Sequence, residues 1–108
     1  ILRVKKYISD NYKYELRLKT LADLANMSES AFCRFFKLHT GRRLSDYIID
    51  IRLGYATRML IDTTDTISEI SFKCGYNNMS NFNRIFRRKK GCSPTEFRNS
   101  HHKIKVIV

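Results

Sequence analysis

Apolar residues along this chain recur at intervals of three and four rather than two, which predicts helices and almost no strand. Ile1, Val4, Tyr7 and Ile8 line one face of an opening helix, and Leu18, Leu21, Ala22, Leu24 and Ala25 make a short second one. Ser28 is placed to cap a third helix, with Phe32, Phe35 and Phe36 inward and Gly41 as its stop. Leu44, Tyr47, Ile48, Ile51, Tyr55, Met59 and Leu60 run through a long fourth helix, despite Gly54 in its middle. Thr66 with Glu69 reads as a capping box for a fifth helix carrying Ile67, Ile70 and Phe72. Asn78 caps a sixth, with Phe82, Ile85 and Phe86 inward and Gly91 after it. The run Ser93-Pro94-Thr95-Glu96 supplies a serine cap, proline at the first helical position and glutamate at the third, which predicts a short seventh helix.

Part of this pattern occurs twice. "SAFCRFFKLHTGRRLSDY", from Ser30 to Tyr47, returns as "SNFNRIFRRKKGCSPTEF", from Ser80 to Phe97. Serine, phenylalanine, arginine, phenylalanine and glycine coincide; acidic Asp46 matches Glu96, and aromatic Tyr47 matches Phe97. With the residues before them, "LKTLADLANMSESAF" and "ISEISFKCGYNNMSNF" each read as a short helix, a tight turn and a second helix. Asn26 and Gly75 sit in the turns and are the residue types that tolerate left-handed backbone. Small Ala22 and Ser71 fall where two helices must approach closely. The unit is a helix-turn-helix. The expected fold is all-α, with about seven helices and two such subdomains joined by a long central helix. The expected division is a first subdomain at 1–42, a linker helix at 43–62, a second subdomain at 63–100 and a tail at 101–108.

With the phenylalanines buried, the third helix shows Ser30, Cys33, Arg34 and Lys37, and the sixth shows Ser80, Asn83, Arg84 and Arg87. Each set is i, i+3, i+4, i+7, one stripe of a helix. Short polar side chains with Arg or Lys suit a DNA major groove, where arginine donates twice to guanine, asparagine pairs with adenine and serine fits either. A solvated face is the alternative for one stripe; two matched stripes on duplicated second helices argue against it.

Composition agrees. Lys and Arg number 21 against 10 Asp and Glu, a net charge of +11, which favours a polyanionic partner. No apolar run approaches the roughly 20 residues of a membrane span, and the alternative of a basic interaction module, with amphipathic helices that bind a protein or an acidic membrane, would not need paired tight turns. Cys33, Cys74 and Cys92 form no CxxC pair, as expected of a reduced, cytoplasmic chain. His39 stands alone and His101 and His102 are adjacent, which makes no closed zinc site, and no nucleophile–base pair is visible. The expectation is a non-enzyme without a cofactor or metal. The chain starts without Met and reads as a fragment of a longer protein.

At this point the sequence resembles the DNA-binding domain of AraC/XylS-type bacterial transcription regulators, over roughly Leu16 to Arg98. The second half carries the signature: Ile70, Cys74-Gly75-Tyr76, Ser80, Phe82, Arg84, Phe86, Gly91, Ser93-Pro94 and Phe97-Arg98. In the first half "LADLANMS", "FCRFFK" and "TG" fit as well. The resemblance implies sequence-specific binding to duplex DNA by helices three and six, set in successive major grooves. Reading positions carried over are Glu29, Ser30, Cys33 and Arg34 in the first half and Met79, Ser80, Asn83 and Arg84 in the second. Lys37 and Arg87 are expected on phosphate. The sequence departs from the pattern at Arg17 and Arg43, which stand where helix caps are usually small hydroxyl residues; a cation there costs about 1 kcal/mol. Phosphate binding offers an explanation for Arg17, and drift for Arg43. The fourth helix, from about Leu44 to Asp62, would be a rod of roughly 27 Å, setting the reading helices about one DNA turn, 34 Å, apart. The implied partners are duplex DNA, with RNA polymerase as a further candidate, and a sensing or dimerising domain outside this chain; no membrane is expected.

Overall fold

A computed structural model describes residues 1–101, and the expected tail lies outside the described residues from 102 onward. Among the described residues there are seven helices and no strand. They are α1 (Leu2–Asn11), α2 (Leu18–Leu24), α3 (Glu29–Thr40), α4 (Leu44–Asp62), α5 (Ile67–Lys73), α6 (Met79–Lys90) and α7 (Pro94–His101). His101 ends α7 rather than opening a tail. The chain divides into two units, Ile1–Ile51 and Arg52–Val108, with the division inside α4.

In the first unit α1 packs on α2 and α2 on α3. Val4, Ile8, Leu21, Ala22, Phe32 and Phe36 form the core, and Tyr47, Ile48 and Ile51 of α4 close it. The Phe32 and Phe36 rings lie 5.9 Å apart, and Tyr47 meets Phe36 edge-on at 5.1 Å. In the second unit α5 packs on α6 and α6 on α7. The same aromatic arrangement returns, with Phe82 to Phe86 at 5.8 Å and Phe97 edge-on to Phe86 at 5.7 Å. The duplication in sequence is therefore a duplication of packing.

Local signals set the helix ends. Ser28, Thr66 and Asn78 accept from the backbone N–H three residues on, and Gly41 and Gly91 end α3 and α6 with φ of 74° and 78°. The turns match bond for bond. Met27 N–H donates to Ala22 O at 3.0 Å, and Tyr76 N–H donates to Ser71 O at 2.9 Å. Asn26 (φ 56°) and Gly75 (φ 96°) take the left-handed position in each. Tyr76 is thus the partner of Met27, and Asn77 is one extra residue before the second cap.

Three expectations shift. Phe72 is not on the inner face of α5; it is 57% exposed. The buried stripe runs Ile70, Ser71 and Cys74, continuing the i, i+3, i+4, i+7 phase from Ile67, and Phe72 falls off it. Fully buried Ser71 takes the seat because its hydroxyl bonds back to Ser68 O at 2.7 Å and so is satisfied without water. In α4 the buried residues are Leu53, Ala56 and Leu60, whereas Tyr55 and Met59 are half-buried. Phe35 is also only half-buried, against the His39 ring at 4.2 Å.

The C-terminus of α4 is tied to α7 by Arg98. Its guanidinium donates to Leu60 O at 3.1 Å, to Thr63 O at 3.2 Å and to Asp65 O. Leu60 O lies in the last turn of α4, where carbonyls lack an intrahelical donor, so one planar cation satisfies it together with two carbonyls of the following loop and complements the negative end of the helix dipole. Lys73 pairs with Asp65 at 2.8 Å on the same loop.

The burial assignment has a direct test. Phe86→Ala is expected to cost about 3–5 kcal/mol through loss of packing and a cavity, while Phe72→Ala should change stability by less than about 0.5 kcal/mol. Urea denaturation followed by circular dichroism compares them; similar losses would mean the inner face is misplaced.

Candidate nucleic-acid interface

The outward stripe of α3 is a consequence of the inward one. Phe32 and Phe36 are fully buried, and at 100° per residue Ser30, Cys33, Arg34 and Lys37 must then face away. All four are exposed, as is Glu29 at the first helical position. In α6, Phe82, Ile85 and Phe86 are buried, and Met79, Ser80, Arg84 and Arg87 are exposed. Asn83 is half-buried, flanking the stripe rather than heading it. Each unit therefore brings its predicted base-reading residues together on one helix.

The second stripe is more ordered by neighbours than sequence spacing suggests. Arg84 donates from Nη2 to Oδ1 of Asn81, one turn earlier on α6. Sequence reasoning misses Asn81; its i, i+3 relation to an arginine is the signal that could have found it. Arg87 donates to Glu96 Oε1 at 3.1 Å. Glu96 also accepts from Ser93 N–H at 2.8 Å, while Ser93 Oγ accepts from Glu96 N–H at 3.1 Å, a complete capping box. Arg87 is thus paired beside the start of α7, and its side chain stays largely exposed. The cations Arg87 to Lys90 occupy the last turn of α6, where they also favour the helix dipole. Lys89 is half-buried, so the run is not uniformly a solvated face.

Arg17 is the N-cap of α2, in extended conformation with no side-chain cap bond. Its side chain is exposed, with Glu15 Oε1 at 3.7 Å. Arg43 is exposed ahead of α4. Neighbouring Arg42 pairs with Asp50 of α4. Among the described residues no group of three His, Cys, Asp or Glu side chains is placed to hold a metal. Cys33 is exposed on the α3 stripe, and Cys74 is sealed in the core. No helix of the described residues is long and apolar enough to cross a membrane.

Comparison with known proteins places this geometry. Residues 21–100 match the profile of a family described as a helix-turn-helix domain. The chain is 33% identical over 94 residues to the uncharacterised HTH-type transcriptional regulator YobQ of Bacillus subtilis, covering 87% of this chain and 39% of YobQ. It is 34% identical over 95 residues to the bifunctional transcriptional activator/DNA repair enzyme AdaA of the same organism, covering 88% of this chain and 45% of AdaA. It thus spans less than half the length of either relative. Among solved structures it is similar to the DNA-binding domain of the global transcriptional factor AdpA in complex with a target DNA. The TM-score is 0.87 at 27% identity, over 92% of this chain and 89% of that one.

The Glu96 contacts carry a pH signature. The backbone hydrogen bond from Ser93 holds its carboxyl below the usual range, helped by the Ser93 hydroxyl and Arg87. A depressed folded-state pKa stabilises the fold above the unfolded value and stops doing so as pH falls through the folded one. Glu96→Gln is therefore expected to melt below the parent at neutral pH, with the gap closing in acid beneath the usual carboxylate range. Melting temperatures across pH 3–7 test this, and a gap independent of pH would contradict it.

Proposed function

The chain belongs to the AraC/XylS-type family of helix-turn-helix proteins, and from that premise we propose that it binds duplex DNA sequence-specifically as part of a transcription regulator. The observation that carries the reading is the duplicated stripe: two helices, each anchored by a buried phenylalanine pair, each presenting a serine, an arginine and a second cation outward. The AdpA domain, of like fold, is seen on its target DNA.

In this reading α3 and α6 enter major grooves. Glu29, Ser30, Cys33 and Arg34 face bases in one box, and Met79, Ser80, Asn83 and Arg84 in the other. Lys37 and Arg87, one turn further along, take phosphates, and Arg17 takes a phosphate beside the N-terminus of α2, where the anion would offset a cation at the positive end of the dipole. The stripes differ, Ser-Cys-Arg-Lys against Ser-Asn-Arg-Arg, and both sit in one chain. The expected site is therefore asymmetric, with two distinct boxes, rather than a palindrome read by two chains.

We read the domain as non-catalytic. AdaA joins activator and repair functions, but this chain covers only 45% of it. A sensing or dimerising partner domain, RNA polymerase as a second partner and a cytoplasmic location complete the proposal. A basic interaction module for a protein or an anionic membrane surface is the less favoured alternative, because exposed apolar residues do not line the face opposite the cations on α6; Phe82, Ile85 and Phe86 there are buried.

Duplexes selected from a randomised library, titrated by fluorescence anisotropy, test the proposal. With on the order of six phosphate contacts, log affinity should fall against log salt with a slope of about −5. Arg84→Ala should weaken the selected duplex by about 1–3 kcal/mol with unchanged circular dichroism. Equal affinity for selected and scrambled duplexes, or tighter binding to anionic vesicles, would refute it.

A further inference from the structure

We infer that Asn81 is a positioning residue for base reading, and that it makes the second box the more stringently read of the two. The inference rests on the reading of Arg84 as a base contact. Asn81 is bonded at both ends of its role. Its backbone N–H is held by the Asn78 cap at 2.9 Å, and its side-chain Oδ1 accepts from Nη2 of Arg84. Asn81 is itself half-buried, whereas Arg84 is exposed. A cap, a bridging amide and a guanidinium thus form a chain along the first turn and a half of α6.

The consequence is physical. A free arginine on a helix surface loses rotamer freedom when it docks, and that loss comes out of the binding energy. One nitrogen held in advance narrows the directions open to the others, so a base presenting acceptors elsewhere gains less. Preorganisation therefore raises discrimination more than it raises attraction to phosphate. The first unit is built differently at this point. The residue matching Asn81 in the repeat is Ala31, whose methyl offers Arg34 no acceptor. Ser28 caps Ala31 N–H at 3.2 Å as Asn78 caps Asn81, so the backbone geometry is shared and only the bridging amide differs.

The experiment uses the domain with its library-selected duplex and two sets of duplexes in which base pairs of one box are replaced. Asn81→Ala is expected to reduce discrimination at the second box by about three- to tenfold. First-box discrimination, salt slope and melting temperature should stay at parent values. In an Arg84→Ala background the same change should do nothing further, since Asn81 acts through that arginine. Retained second-box discrimination in Asn81→Ala, or an equal loss in both backgrounds, overturns the inference. If the parent domain discriminates no box at all, the DNA-reading premise fails first, and the inference with it.

Discussion

Each unit buries two phenylalanines one helical turn apart, Phe32 with Phe36 and Phe82 with Phe86, all four without measurable exposure. On α3 and α6 these rings occupy the buried face, so the pair determines which residues are left outside. Rotating α6 to bury Arg84 would expose both rings and strand a cation in the core, a loss of several kcal/mol on each count. Everything proposed about the outward stripe depends on that asymmetry. The edge-on third ring, Tyr47 in one unit and Phe97 in the other, locks the pair against the next helix.

The two units are built alike but finished differently. The turns share hydrogen bonds to Ala22 O and Ser71 O, yet the second carries Asn77 as an added residue, and its cap is asparagine instead of serine. At the entry of the first short helix Arg17 provides no side-chain cap, whereas Thr66 supplies one in the second. Around the stripe, Arg84 and Arg87 are held by Asn81 and Glu96. On the stripe itself, the second unit thus holds two arginines by neighbouring side chains.

Between them, α4 is not a bare spacer. Its first half contributes Tyr47, Ile48 and Ile51 to the first core, and its second half buries Leu53, Ala56 and Leu60. A helix that serves two units is apolar on more than one side, which blurs the single stripe on which a sequence reading depends. Arg98 then closes its C-terminus from α7, gathering the carbonyls of Leu60, Thr63 and Asp65. Across sequence separations of more than thirty residues, such a bond leaves no periodic trace.

The number of helices, their caps, the repeat and the exposed stripes were legible because each rests on spacing within one turn or one element. Ser28, Thr66, Asn78 and Ser93 each cap the helix that they precede, and the buried phenylalanines lie where the 3.6-residue period puts them. Phe72 misleads for a physical reason: in a seven-residue helix hydrophobicity outweighs phase, and a serine able to bond to its own backbone can take the inner seat. Tertiary packing alone decided that Ser71 sits inside and Phe72 outside, that α4 is divided between two cores, and that Arg98 is a helix cap. It also settled which surface cations are held by a partner, because that depends on side chains meeting in space: Glu96 reaching Arg87 from the next helix, and the rotamers by which Asn81 and Arg84 join.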